Sequence, residues 1–272
     1  MKLKILFVGD IFGEPGILAL KKILPKIIFR EKIDFIIAQG ENVSGRKGLS
    51  KKDFDDLLKL NVNCITMGNH IWSNSEIYEF INNPELIRPL NVEGSYPGKG
   101  SRIYNVKKYN LRVTAILGRA FNVLNKPWDQ AQANDFFDAF DSVISSEEKV
   151  DFDFVDFHAE TTSEKYVFGL YLDGKVDAFC GTHTHVQTND AKILPNGTAY
   201  ITDVGMTGPQ NSAIGANFEE VYKKMRFNGK EKFKVSDNDL QFNAVVITLN
   251  KNKKTNQKRH KIKLINISDI KK

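Results

Sequence analysis

Two carboxylates, two side-chain amides and four histidines stand directly after short apolar runs in this sequence: Asp10, Glu41-Asn42, Asn69-His70, His158, and His183 with His185. Such donors suit borderline divalent metals, and there are enough of them for two ions. No cysteine is among them, which disfavours a closed structural zinc site and points to an open, catalytic pair. A dinuclear site needs a bridging carboxylate. Of the two acids, Glu41 has the extra methylene and an adjacent Asn42 to support it. The amide oxygens of Asn42 and Asn69 can serve as further ligands. His183-Thr184-His185 is the strongest single signal, because alternate residues of an extended segment point to one side and can converge. Taken singly, the others have ordinary readings: Asp10 as a helix cap, Gly68-Asn69-His70 as a turn, His158 and His185 as satisfied core histidines. Four of the five histidines sit at strand ends, with only His260 in a basic tail, and together they argue for one site.

The elements that must carry these residues alternate. Lys2 to Val8 reads as a strand, Gly16 to Arg30 as a helix with Pro25 marking a kink or break, Phe35 to Ala38 and Cys64 to Met67 as strands. Between the last two, Ser50 with Asp53 caps a helix that runs to Leu60. Paired strands follow from Arg102 to Leu117 around a turn at Lys108 to Asn110, then an amphipathic helix over Trp128 to Ile144. Phe154 to Phe157, Val176 to Cys180, Ala199 to Thr202, Ala244 to Leu249 and Lys261 to Ile267 read as later strands, with Ser163 to Leu172 a helix. Strands alternating with helices imply a mainly parallel sheet, and ligands of such a sheet gather outside the carboxyl ends of its strands. The reading is one α/β domain over residues 1–272, containing two sheets.

At 272 residues the chain is long enough to bury a real core, and 41% hydrophobic with 26% charged residues excludes a disordered or fibrous protein. No apolar stretch is long enough to span a bilayer, and the Ile5 to Val8 run is too short for a signal-peptide core, so a cytoplasmic protein with no membrane partner is expected. The two cysteines, Cys64 and Cys180, read as buried core thiols rather than a disulfide framework. The net charge of +6 is largely matched by the tract from Lys251 to Lys263, read as a solvated hairpin turn.

Five motifs resemble one family. They are Gly9-Asp10-Ile11-Phe12-Gly13-Glu14-Pro15-Gly16, Gly40-Glu41-Asn42, Met67-Gly68-Asn69-His70-Ile71-Trp72, Val155-Asp156-Phe157-His158-Ala159-Glu160 and Gly181-Thr182-His183-Thr184-His185-Val186-Gln187. With Leu194 to Pro209 they look like the YmdB-like branch of the calcineurin-like metallophosphoesterases. The resemblance runs from Met1 to about Gly215. It implies a four-layer α-β-β-α sandwich of two mixed sheets with a dinuclear centre at the rim. Carried over by motif position, one metal takes Asp10, Asn42 and His185, the other Asn69, His158 and His183, and Glu41 bridges. His70 sits beside the pair without binding it. Phe12 replaces the histidine of the wider superfamily's first motif, and Gly-Glu-Asn replaces its Gly-Asp-x-x-Asp; both changes are typical of the branch and leave the first metal with fewer strong ligands.

The residues themselves say metal-assisted phosphoester hydrolysis, since two metals about 3.5–4 Å apart can activate water as hydroxide and stabilise both the attacking and leaving oxygens. The resemblance implies iron, manganese or zinc as the two divalent or trivalent ions. It further implies a phosphodiester substrate, foremost a 2′,3′-cyclic nucleotide, and an indirect link to RNA turnover. The expectation is therefore a phosphodiesterase in which His70 is the general acid. A phosphomonoesterase with the same ligands and a non-catalytic RNA-binding regulator using the basic turn are the alternatives, the latter disfavoured because no stacking aromatics are interleaved with that turn. A homo-oligomer is left open.

Overall fold

The computed structural model describes residues 2–145, 148–252, 255 and 257–272. The chain opens with β1 (Lys2–Val8), β2 (Asp10–Ile11) and α1 (Gly13–Glu31). The expected break at Pro25 does not occur. Pro25 is exposed, so the carbonyl one turn earlier that loses its hydrogen bond faces solvent, and the helix runs on. β3 (Phe35–Gln39) leads to α2 (Lys51–Lys59), whose cap Ser50 accepts the Asp53 N–H at 3.2 Å, and then to β4 (Cys64–Thr66). α3 (Ile77–Phe80) and β5 (Leu86–Ile87) are short elements that periodicity does not announce. The hairpin β6 (Ser101–Val106) and β7 (Tyr109–Leu117) is as expected.

The helix expected from Trp128 is only α4 (Phe136–Ile144). Asp135 caps its start by accepting the Phe137 N–H at 2.8 Å. The residues before it form a loop because Trp128 is buried against Trp72 and Tyr96 and donates its indole N–H to the Asn69 carbonyl at 2.7 Å. β8 (Phe152–His158), α5 (Thr162–Leu172), β9 (Ala178–Thr182), β10 (Lys192–Ile193), β11 (Ala199–Ile201) and β12 (Met206–Pro209) follow, then α6 (Phe218–Phe227), β13 (Leu240–Asn250) and β14 (Lys261–Ile270).

Among the described residues the first sheet has eight strands in the order β2-β12-β13-β1-β3-β4-β5, with β14 also on β13; the second has six, β10-β11-β9-β8-β7-β6. β1, β3, β4 and β5 are parallel, while β13 is antiparallel to β1 and β14. β7, β8, β9 and β11 are parallel, with antiparallel partners at both edges. Both sheets are therefore mixed.

Alternation along β1 shows how the layers stack, because successive side chains leave a strand on opposite faces. Leu6 and Val8 pack with Leu20, Leu24, Phe54 and Leu57 beneath the first helical layer. Ile5 and Phe7 face the second sheet, meeting Val113, Phe154, Cys180 and Ile201. On the far side, Phe140, Phe168 and Leu172 cover Val155, Phe157 and Phe179. The result is a four-layer α-β-β-α sandwich. Cys64 and Cys180 are free and buried in the middle layer, and burial pushes the Cys64 thiol up to about 12.

No helix among the described residues is long and apolar enough to cross a membrane. In the basic tract, Lys253, Lys254 and Asn256 lie outside the described residues. Its flank is not a solvated turn: Lys258 donates to the Gly174 and Val176 carbonyls at 2.9 and 2.6 Å, and His260 is buried with Nε2 2.9 Å from Asp177 Oδ1.

Candidate metal centre

The parallel strands end at a common rim, and every residue expected there from the sequence is brought to it. Asp10 stands in β2 just past β1, Glu41 and Asn42 follow β3, Asn69 and His70 follow β4, His158 ends β8, and His183 and His185 follow β9. The approach is close. A Cβ built on Gly68 would overlap the Glu41 carboxylate and the His158 ring, so only glycine lets this backbone pass.

The two histidines of the Thr184 turn do not converge as expected. Both have positive φ, 102° at His183 and 64° at His185, so the segment is not extended and the side chains part. His183 turns its Nδ1 to within 2.9 Å of His158 Nε2, whereas His185 places its Nε2 3.3 Å from Asn42 Oδ1 and 3.9 Å from Asp10 Oδ1. The first group, around His158, also holds Asn69 Oδ1 at 3.1 Å and Glu41 Oε1 at 3.0 Å from the same Nε2. Glu41 belongs to this first group, and its Oε2 accepts the His70 N–H at 2.9 Å.

This donor set fits cations. One proton on His158 Nε2 cannot satisfy Glu41, Asn69 and His183 at once, but a metal ion can take lone pairs from all of them. Glu41, His158 and His183 offer ligand atoms that lie within 4.8 Å of one another. Asp10 is fully buried, yet among the described residues its Oδ1 has no hydrogen-bond partner, and it lies 3.9 Å from both His158 Nδ1 and His185 Nε2. Orphaned buried carboxylate oxygens are costly and call for a missing counter-charge.

The electrostatics agree. Burial raises the Asp10 pKa above its ordinary value despite His185 and His158 nearby. Burial would raise Glu41 too, but His158, His70 and His183 outweigh it and hold the carboxyl well below the usual range. Burial alone would depress His158, yet Glu41 and Asp10 push it up to about 9; burial and the neighbouring His158 bring His183 down to about 3. His158, the histidine that is pushed up, lies between the two carboxylates, its Nε2 3.0 Å from Glu41 Oε1 and its Nδ1 3.9 Å from Asp10 Oδ1.

Several orienting residues had no role in the sequence reading. Thr182 Oγ1 lies 2.9 Å from His158 Nδ1 and donates to Asp156 Oδ1 at 2.7 Å, while Thr66 donates to Asp156 Oδ2 at 2.6 Å. With its hydroxyl proton committed to Asp156, Thr182 can accept a proton from Nδ1, which would leave Nε2 free as a ligand. Gln39 Nε2, 3.2 Å from the same Nδ1, would favour the other tautomer in the absence of a cation. Asp203, paired with the buried Lys165 at 2.7 Å, accepts both the backbone N–H and the hydroxyl of Thr184 and so fixes the turn between the two histidines. Glu160 Oε2 lies 3.0 Å from His183 Nε2. Glu160, Thr182 and Asp203 all stand inside the motif segments that carry the resemblance, but without the fold nothing in those segments assigns them an orienting role.

A cavity of about 680 Å³ opens over Glu41, Asn42, His183 and His185. His70 lines it beside Glu41, and burial lowers its pKa although Glu41 opposes this. Phe12 packs edge-on against the His185 ring with centroids 5.5 Å apart, and His185 Nδ1 donates to the Ile214 carbonyl at 2.8 Å.

The chain matches the family model described as YmdB-like protein over residues 6–262. It is 40% identical over 268 residues, 98% of each chain, to a Bacillus subtilis protein named 2′,3′-cyclic-nucleotide 2′-phosphodiesterase. A crystal structure described as a novel phosphatase from Mycoplasma pneumoniae superposes with a TM-score of 0.89 at 36% identity, covering 98% of this chain and 94% of that one. The 5′-nucleotidase precursor of Thermus thermophilus shares the fold at 10% identity and a TM-score of 0.61, over 98% of this chain and 55% of that one.

Proposed function

This chain belongs to the YmdB-like family of metallophosphoesterases, and from that membership and the rim geometry we propose that it is a metal-dependent phosphodiesterase whose substrates are 2′,3′-cyclic nucleotides. Residues 1–272 act as one domain, since the inter-sheet core draws on strands from β1 through β13. The observation that carries the reading is the crowding of Glu41, Asn69 and His183 around one nitrogen of His158, an arrangement that a cation satisfies and a proton does not.

Asp10, Asn42 and His185 would hold one ion, Asn69, His158 and His183 the other, with Glu41 between them. Bound there, two ions supply Lewis acidity at the phosphoryl group and a water activated at neutral pH. The chain does the rest. Thr182 and Asp156 hold the His158 ring in its ligating tautomer, the Thr184–Asp203 contact keeps His183 and His185 apart, and Glu41 ties the position of His70 to the centre through the His70 N–H. In its protonated form, which the lowered pKa confines to the more acidic side of the ordinary histidine range, the His70 ring, adjacent in sequence to Asn69, gives its proton to the ribose oxygen that leaves as the cyclic ester opens. A product of that opening is a nucleoside monophosphate, which links the enzyme indirectly to RNA turnover.

The test is metal analysis of the native protein together with kcat/KM on a monoester, a linear diester and a 2′,3′-cyclic diester. Two ions per chain, lost in Glu41→Ala together with turnover, and a cyclic-diester preference are expected. A monoester preference of tenfold or more, about 1.4 kcal/mol in barrier, refutes the substrate assignment; a Glu41→Ala protein with both ions and full activity refutes the site.

A further inference from the structure

Helix α6 is anomalous. Phe218, Val221, Tyr222 and Met225 recur at the spacing of one helical face, and such a face is normally covered by the core. Here no residue of the helix is buried: Phe218 is 56%, Tyr222 36% and Met225 83% exposed. All four line the cavity whose floor is Glu41, Asn42, His183 and His185. The rings of Phe218 and Tyr222 are stacked at 19° with centroids 5.4 Å apart. Phe233, with the Arg46 guanidinium 5.4 Å from its ring centroid, lines the same cavity.

The helix is also fastened to the centre. Ala216 bridges to Val235, and Asn217 N–H donates to the Lys234 carbonyl at 2.8 Å. The turn just before it supplies Ile214, whose carbonyl accepts from His185. A ligand fitting this cavity must carry an anionic group at one end, over the ligand cluster, and a flat apolar body at the other, against the aromatic face. The cavity size suits a small-molecule ligand.

Resting on the phosphodiesterase reading, we infer that the Phe218–Tyr222 face is the nucleobase subsite, holding the base by stacking while the cyclic phosphate lies on the rim. Stacking on an aromatic face accepts any base because each presents a π-surface. The subsite therefore selects for the presence of a base more than for its identity, and the larger purines gain more from it than pyrimidines.

The experiment uses the full chain with metal content checked, and two cyclic diesters: adenosine 2′,3′-cyclic phosphate and the base-free glycerol 1,2-cyclic phosphate. In Phe218→Ala/Tyr222→Ala, kcat/KM on the adenosine substrate should fall about tenfold or more, chiefly through KM, with the glycerol substrate changed less than twofold. Calorimetric titration with adenosine 3′-monophosphate should show the same loss of affinity, and Tyr222→Phe should restore it in the single-site series. Equal losses on both diesters, or none on either, overturn the subsite. Conversion of an oligomer to a monomer by the double variant, with no selective loss on adenosine, shows a face between copies instead. If the wild type turns over neither diester, the phosphodiesterase reading fails. The calorimetry then still judges the subsite: tighter binding of adenosine 3′-monophosphate than of glycerol phosphate by the wild type alone upholds it, and equal binding overturns it.

Discussion

Nε2 of His183 lies 3.0 Å from Glu160 Oε2, while the other nitrogen of the same ring faces His158. A carboxylate behind a ligating imidazole fixes which nitrogen carries the proton and raises the basicity of the other. Glu160→Gln should therefore weaken metal retention about tenfold, the low end of the usual range because Glu160 is half exposed. Competition against a chelator measures it, and unchanged retention would show that His183 is oriented by its turn alone.

Thr182 plays the corresponding part for His158 in a fully buried setting. Thr182→Val removes the Nδ1 acceptor without changing side-chain volume much, and metal affinity should drop by about 10- to 100-fold. Thr182→Ser, which keeps the hydroxyl, should recover most of it. Were serine and valine equally defective, packing rather than the hydrogen bond would be responsible.

Asp10 makes a trade visible. Its Oδ1 is buried without a partner among the described residues, so Asp10→Asn relieves an uncompensated charge in the absence of metal. In chelator the variant should be more stable than wild type by about 1 kcal/mol, yet bind one ion fewer. A lower melting temperature of the variant in chelator would contradict this.

His70 is assigned a proton transfer to an alkoxide leaving group, worth about 10²–10⁴ in rate. His70→Ala should keep both ions, lose cyclic-nucleotide hydrolysis by such a factor, and lose far less on a nitrophenyl diester, whose leaving group needs no protonation. Equal losses on the two substrates would place the imidazole at the phosphoryl oxygens or the nucleophile.

Stability should depend on pH through Asp177, away from the rim. Burial works against its carboxylate, but the hydrogen bond with His260 and the charge of Lys258 hold the pKa below the ordinary aspartate value. A depressed folded-state pKa adds stability that is complete above the unfolded value, about 4, and is lost as pH falls through the folded one. Asp177→Asn should thus cost about 3–5 kcal/mol at pH 7, and the gap to wild type should narrow toward pH 3. Urea titrations at the two pH values decide it; a gap of constant size would rule the linkage out.

Strand positions and the rim residues were legible because each signal is local: a β-branched run fixes a strand, and a polar residue just past it lands at the carboxyl edge. Where the reading failed, tertiary contacts had overridden local pattern. Trp128 has helical periodicity with Ile144 but is drawn into the Trp72–Tyr96 cluster. His183 and His185 have strand spacing, but Asp203 and Asp10 hold their turn at positive φ. Helix α6 has the apolar spacing of one helical face but covers no core, and it is not among the elements read from the sequence.

The pairing of β1 with β13 matches Lys2 to Asn250 and Val8 to Ala244. On this edge β1 therefore waits for a strand made much later in the chain. Joining segments some 240 residues apart costs about 5 kcal/mol of loop-closure entropy, and no helix or hairpin formed earlier can substitute for it. Until then the edge of the nascent sheet nearest Asp10 is unpaired, and such edges invite association with other chains.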